Sequence, residues 1–342
     1  MRVRVSAGRD QSVAITNRLS TKEVFDLLRS DLQKVEEELS RQTSAATRPI
    51  AEIGQYLQAS GGKRLRPSLL LLSAKLCGYE GPASARLGAV VELIHTATLV
   101  HDDVIDRADT RRGRPSINSR WGNHLSVLAG DWLYMQAFNA ALDERSFPIL
   151  DLLISLTQVM VEGELLQLMA LNKLDATEED YLELAYRKTA CLFSVCLKLG
   201  AILAGKPPEI EEKLGAYGIN LGLAFQLTDD ILDFTSTEQK LGKPVGNDFR
   251  EGKVTLPMIY LLQKCAPEEA LEIERAYGKR SFTTEHLEPI FDLMRRCGAL
   301  DEARRKAANF AEQAKQALAV FPDSIYKDSL MALPDFIIER ES

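Results

Sequence analysis

Apolar residues recur at helical spacing along almost the whole chain, and this periodicity constrains the fold more than any other feature of the sequence. In "STKEVFDLLRSDLQKVEEELSRQ", Val24, Leu27, Leu28, Leu32 and Val35 form one apolar stripe, and Ser20 with Glu23 predicts a capping box at its start. "RPSLLLLSAKLCGY" predicts a helix opened near Pro67 and closed at Gly78. Helical spacing continues to about Leu333, without a convincing alternating strand, a strand–helix rhythm, a fixed-period repeat or a Pro/Gly/Ser linker. Several stretches, such as "LGLAFQL", are apolar nearly all round and belong inside a large helical assembly. The chain therefore reads as one all-α domain over residues 19–342, with residues 1–18 as a flexible N-terminal arm.

Composition narrows the partners. A net charge of -7 argues against nucleic acid or an acidic membrane surface as a partner of the whole molecule. Cys77, Cys191, Cys196, Cys265 and Cys297 contain no C-x-x-C pair, which fits reduced thiols in a cytoplasmic protein. The basic N-terminus lacks the apolar centre of a signal peptide. The longest apolar run, "LGAVVELIHTATLV", is interrupted by Glu92 and His95 and reads as a buried helix, not a membrane span.

Two of these apolar stretches carry the same acidic knot. "LVHDDVID" contains Asp102, Asp103 and Asp106; "LTDDILDF" contains Asp229, Asp230 and Asp233. On a helix, residues four apart share a face, so Asp102 pairs with Asp106 and Asp229 with Asp233. Like charges one turn apart, beside apolar residues, are unfavourable unless a cation compensates them. Hard carboxylate oxygens suit Mg²⁺, which leaves positions for water and substrate phosphate. A solvated acidic face is the lesser reading of either knot alone, and their duplication makes coincidence much less likely. Cations lie close by: Lys63, Arg64 and Arg66 in "GGKRLRP", Arg111 and Arg112 after the first knot, Lys243 and Lys253 after the second. A solvated surface is the usual place for such side chains, but a polyphosphate needs both metal and Arg or Lys partners.

Taken in order, "GGKRLRP", "LIHTATLVHDDVID", "RRGRP", "VLAGDWLY", "EGELLQ", "YRKTACLF", "AFQLTDDILDF" and "GKPVGNDFREGKVTLP" resemble the trans-isoprenyl diphosphate synthases, or polyprenyl synthetases, over nearly everything from residue 20 onward. The long-chain bacterial members, octaprenyl diphosphate synthases especially, are the most similar. The resemblance implies a single bundle of helices around a deep central hydrophobic cavity, usually as a homodimer. It implies a prenyltransferase that condenses isopentenyl diphosphate onto an allylic diphosphate, for example toward a quinone side chain. It implies Mg²⁺ as cofactor, on the order of three ions with substrate bound, and transient membrane contact at product release.

Carried over by motif, Asp102, Asp106, Asp229 and Asp233 hold metal, with Asp103 and Asp230 in support. Arg111, Lys188, Thr189, Gln226, Lys243 and Lys253 attend the allylic diphosphate, while Lys63, Arg66, Arg112 and His95 attend isopentenyl diphosphate. His95 also has the plain reading of a buried, hydrogen-bonded imidazole.

Tail length follows from the same helix. Thr98 and Ala97 lie one turn before Asp102, where short-chain members of the family carry large aromatic residues. Both are small here, so a growing tail passes toward Ile94, Val91 and Val90, with Met135 and Phe138 as candidate floor. One helical turn matches about one isoprene unit, which leads to a product of about eight units within a range of roughly seven to ten.

The rivals are a short-chain farnesyl or geranylgeranyl synthase, a class I terpene cyclase, a di-iron bundle and a regulatory subunit. A cyclase normally has a different second motif; a di-iron bundle needs two E-x-x-H pairs, of which Glu92 and His95 supply one. A regulatory subunit lacks one acidic knot.

Overall fold

The computed structural model describes residues 19–44, 48–59, 61–111, 113–236, 245–277, 279 and 284–340. The expected arm at residues 1–18 and two of the expected cations, Arg112 and Lys243, lie outside the described residues.

Helices dominate, as the periodicity requires: α1 Thr21–Leu27, α2 Arg29–Gln42, α3 Arg48–Ala59, α4 Leu65–Leu76, α5 Ala83–Ile105, α6 Ile117–Trp121, α7 Asn123–Leu142, α8 Phe147–Ala170, α9 Glu178–Ala185, α10 Cys191–Leu203 and α11 Pro208–Thr235. Further helices follow at Asn247–Arg250, Leu256–Lys264, Pro267–Ala276, Thr284–Arg296, Ala299–Ala317 and Ile325–Ile338. The chain begins as read: the Glu23 amide donates to Ser20 Oγ, and the Ser20 amide donates back to Glu23 Oε2 at 2.8 Å. The first helical stretch differs by a break at Leu28, which is fully buried. Pro67 lies in the first turn of α4, and Gly78, at φ 85°, follows its end. Among the described residues the one strand pairing is an antiparallel ladder of Thr110 with Pro115 and Arg111 with Arg114; it is closed by a turn containing Gly113 at φ 73° and is too short to leave an alternating pattern.

α5 is the one described helix long and apolar enough to cross a membrane, but 67% of its apolar window is buried inside the protein. It packs on α4 and α7 and is the core helix its sequence suggested. Glu92 is tolerated inside it because Arg64 Nη1 donates to Glu92 Oε1 at 2.8 Å. α11 is buried on two faces. Leu214, Tyr217, Leu221 and Ala224 join the apolar cluster of the N-terminal half, while Leu223, Leu227, Ile231 and Phe234 join that of the C-terminal half. Both knots therefore sit on helices anchored by long buried stretches. Cys77, Cys191 and Cys196 are buried thiols, and all five cysteines are free.

Candidate active site

α5 and α11 bring the two knots to one cavity. Asp102 from α5, and Asp229 and Asp230 from α11, wall a space of about 350 Å³ together with Arg66, His95, Thr98, Lys188, Thr189, Gln226 and Lys253. Ten of the residues singled out in the sequence thus converge on one void. Burial pushes the Asp102 carboxyl up to about 6, assisted by Glu164 and Asp106 and opposed by Lys188 and Arg111. Lys253 spans the site: its Nζ donates to Asp106 Oδ2 at 3.0 Å and pairs with Glu251 Oε2 at 2.8 Å. Burial disfavours that charge, yet Asp106, Glu251 and Asp248 hold the ammonium above the usual lysine range.

The local backbone explains how Lys188 and Thr189 arrive. Between α9 and α10, Tyr186–Ala190 form a π-helical turn, a feature common at functional sites. Two glycines let neighbouring helices close on this turn. A Cβ on Gly163 of α8 would sit 2.6 Å from Arg187 Cβ, and one on Gly222 of α11 would sit 2.5 Å from Ala190 Cα. With α8 so close, Lys188 Nζ reaches Glu164 Oε2 at 2.8 Å and Gln167 Oε1 at 2.7 Å. One turn beyond Gly222, Gln226 Oε1 accepts from Thr189 Oγ at 2.7 Å, and Gln226 Nε2 donates to Asp230 Oδ1 at 2.7 Å.

Several expected residues are placed differently. Asp103 turns away from Asp229: it is buried and accepts from Arg111 Nε at 2.6 Å. Arg111 therefore walls a side cavity of about 70 Å³ with His95, Asp103 and Arg114, not the central one. Asp233, expected beside Asp229 as a metal ligand, is fully buried and does not wall the cavity. The segment after the second knot folds over that face, so Asp233 Oδ2 accepts from the Asp248 amide at 3.0 Å and its carbonyl from the Gly246 amide at 2.7 Å. Lys63 is exposed and outside these walls. Arg64 is spent on Glu36 and Glu92. That pair also removes Glu92 from any E-x-x-H metal site with His95.

A second cavity of about 370 Å³ adjoins the first and shares Thr98, Asp102 and Lys188 with it. Its wall is mainly apolar, including Val104, Ile105, Val127, Met160, Val161, Leu165 and Leu168. This second cavity thus runs from Thr98 across α7 and α8. Ala97, Ile94, Val91 and Val90 are fully buried in the core behind it, Phe138 packs against the same core, and Met135 is 60% exposed. None of these six walls either cavity, because α7 packs directly on this stretch of α5.

Sequence reasoning missed Glu164, Gln167, Tyr181, Asp248 and Arg340. Arg340 Nη2 lies 4.0 Å from Asp229 Oδ1, with its guanidinium 5.1 Å from the Phe225 ring centre. Glu164 and Gln167 lie in the quoted "EGELLQ", and Asp248 in "GKPVGNDFREGK". Tyr181 stands seven residues before Lys188, a spacing that signals one helix face.

Two carboxylate-bearing helices, flanked by lysines and opening into an apolar cavity, define a site that grips a charged head beside a hydrocarbon tail. The chain belongs to the polyprenyl synthetase family, whose model matches residues 47–294. It is a prenyltransferase of isoprenoid biosynthesis, a polyprenyl diphosphate synthase. It is 39% identical over 323 residues to octaprenyl diphosphate synthase of Escherichia coli (strain K12), covering 94% of this chain and 100% of that one. It is 38% identical over 311 residues to an all-trans-nonaprenyl-diphosphate synthase (geranyl-diphosphate specific) of Rhodobacter capsulatus, covering 91% and 95%. Among solved structures, polyprenyl synthase from Caulobacter crescentus CB15, complexed with calcium and isoprenyl diphosphate, superposes with a TM-score of 0.90 at 39% identity, covering 95% and 99%.

Proposed function

We propose that the enzyme extends an allylic diphosphate with successive isopentenyl diphosphates, using Mg²⁺, to a long all-trans product of about eight isoprene units. The observation that supports this reading is the junction of the two cavities at Thr98, Asp102 and Lys188, a charged pocket beside an apolar space that suits a diphosphate head and a hydrocarbon tail. The similarity to octaprenyl and nonaprenyl synthases supports the length.

The donor set fits Mg²⁺. Asp102, Asp106 and Asp229 offer hard oxygens, and Lys188, Lys253 and Arg66 add positive charge for diphosphate. Among the described residues no three His, Cys, Asp or Glu side chains converge on one point. Ions here would take their remaining ligands from water and diphosphate, the mode Mg²⁺ favours. When bound, Mg²⁺ would neutralise charge building on the leaving pyrophosphate. The residues of the chain then divide the work. Asp102 and Asp229 orient the allylic head from opposite helices, and Lys188 and Lys253 meet its oxygens. The C–O bond breaks with its electron pair on pyrophosphate; the isopentenyl double bond supplies the pair for the new C–C bond, and a proton leaves the adjacent carbon. Arg66 and His95 wall the central cavity, and His95 also walls the side cavity with Arg111; this side suits the diphosphate of isopentenyl diphosphate.

An apolar cavity of 150 Å³ holds benzene, so about 370 Å³ accommodates roughly fifteen carbons. A longer tail continues over the open side, where α7 and α8 expose Leu128, Met135, Val161, Leu165 and Met169. A second copy covering that face makes a homodimer the fitting assembly. A cytoplasmic enzyme feeding a quinone side chain is the physiological setting this reading implies.

The test is incubation with labelled isopentenyl diphosphate, an allylic primer and Mg²⁺, followed by sizing of the product. A ladder ending at about eight units is expected; products of three or four units would make it a short-chain synthase. Asp102→Ala and Asp229→Ala should each cut turnover by about 10³-fold or more while leaving the fold intact.

A further inference from the structure

Tyr181, on α9, is buried, and its hydroxyl donates to Asp230 Oδ2 at 2.5 Å. Asp230 takes its second bond from Gln226 Nε2, and Gln226 in turn accepts from Thr189. All four side chains wall the central cavity. An amide can turn over and present either end, so its sense is set by its neighbours. Here both oxygens of Asp230 are engaged as acceptors. That forces the Gln226 NH₂ inward and its carbonyl toward Thr189. The Thr189 hydroxyl proton is thereby spent on Gln226, so the Thr189 and Gln226 oxygens keep lone pairs for the cavity, while the Gln226 NH₂ is held back on the Asp230 side with one N–H beyond the one it gives Asp230.

We propose that Tyr181 and Asp230 are positioning residues that fix the donor–acceptor sense of the Thr189–Gln226 pair, so that two oxygen dipoles face the carbon that becomes positive when the allylic C–O bond breaks. Asp230 on this account is not a metal ligand, although it sits inside the second acidic knot. The inference rests on the reading that ionisation occurs in the central cavity. Fixed dipoles aimed at developing charge lower the barrier without tightening ground-state binding.

The tests are Tyr181→Phe, which keeps the ring in its packing, and Asp230→Asn, each assayed against wild type for kcat, KM of both substrates and Mg²⁺ half-saturation. Tyr181→Phe should lower kcat on the order of 10- to 100-fold with KM and Mg²⁺ half-saturation within about threefold. Combining it with Thr189→Val should cost no more than the worse single change, since the two act along one chain of bonds. Fully additive losses, a changed Tm with unchanged kcat, or an Asp230→Asn effect confined to Mg²⁺ half-saturation would each overturn the proposal. Wild-type enzyme that fails to condense the substrates would instead overturn the functional reading on which it rests.

Discussion

At the scale of single residues, Asp102 shows how burial shapes the site. Its carboxyl titrates near 6, against an ordinary 3.8, chiefly because burial disfavours the charge. The folded pKa is raised, so the sign runs against the metal-free protein. Well below pH 3.8 the carboxyl is protonated whether folded or not; between 3.8 and about 6 the unfolded chain gives up a proton that the folded one keeps, so stability falls by up to about 3 kcal/mol and levels off above 6. Asp102→Asn should therefore gain on wild type steadily from pH 4 to pH 6 and keep a constant lead from there to pH 7.5, a gap that added Mg²⁺ narrows. Thermal melts of both proteins across that range check this, and a pH-independent gap would reject it. Thr98 gives a second residue-level prediction. It walls both cavities, so Thr98→Phe should block the passage and shorten the product to about three or four units, read by chromatography of the dephosphorylated products. Ala97 is fully buried, so Ala97→Phe overpacks the core and should cost roughly 1–3 kcal/mol of stability as well. Asp102, Asp229 and Lys188 were legible because helical spacing and motif order fix which face they occupy. Asp103 and Asp233 were not. Their directions depend on Arg111 and on the Asp248 amide, partners that no local spacing reveals.

Among elements, the helices were legible and the turn between α9 and α10 was not. A π-helical turn adds one residue to a cycle, and its signal is lost in the 3.6 periodicity of the flanking helices. What holds it is tertiary: α8 and α11 press on it at Gly163 and Gly222. Gly222→Ala would place a methyl 2.5 Å from Ala190 Cα, a backbone atom with no rotamer to yield. We expect a loss of roughly 1–3 kcal/mol in urea unfolding, together with a fall in kcat as Gln226 parts from Thr189. A kcat within about twofold of wild type, despite the lost stability, would show that this contact does not set the pair. The break at Leu28 escaped sequence reading for a similar reason, since the apolar stripe continues across it.

For the whole molecule, the exposed apolar face of α7 and α8 is the feature that one chain leaves unfinished. It includes Leu128 and Met135, which wall neither cavity. The homodimer proposed above requires that Leu128→Asp combined with Met135→Asp convert it to a monomer in light scattering while the helical CD spectrum persists. An unchanged mass would place the contact elsewhere. The sequence carried the helical bundle, the paired acidic helices and the cations. It did not carry the course of the apolar cavity, because whether Ile94 or Leu168 meets the void depends on how α7 and α8 lean on α5.

Among the described residues, Thr98, Asp102 and Lys188 alone are common to the two cavities, so in the proposed function the head of the substrate has one berth while the tail advances past it. On that proposal the enzyme would measure its product as a ruler does, by space beyond a fixed mark. A clock would measure by how long the chain stays bound. The two differ in their response to supply: raising isopentenyl diphosphate over primer stretches the output of a clock without limit, whereas a ruler fills up to the same last mark and stops.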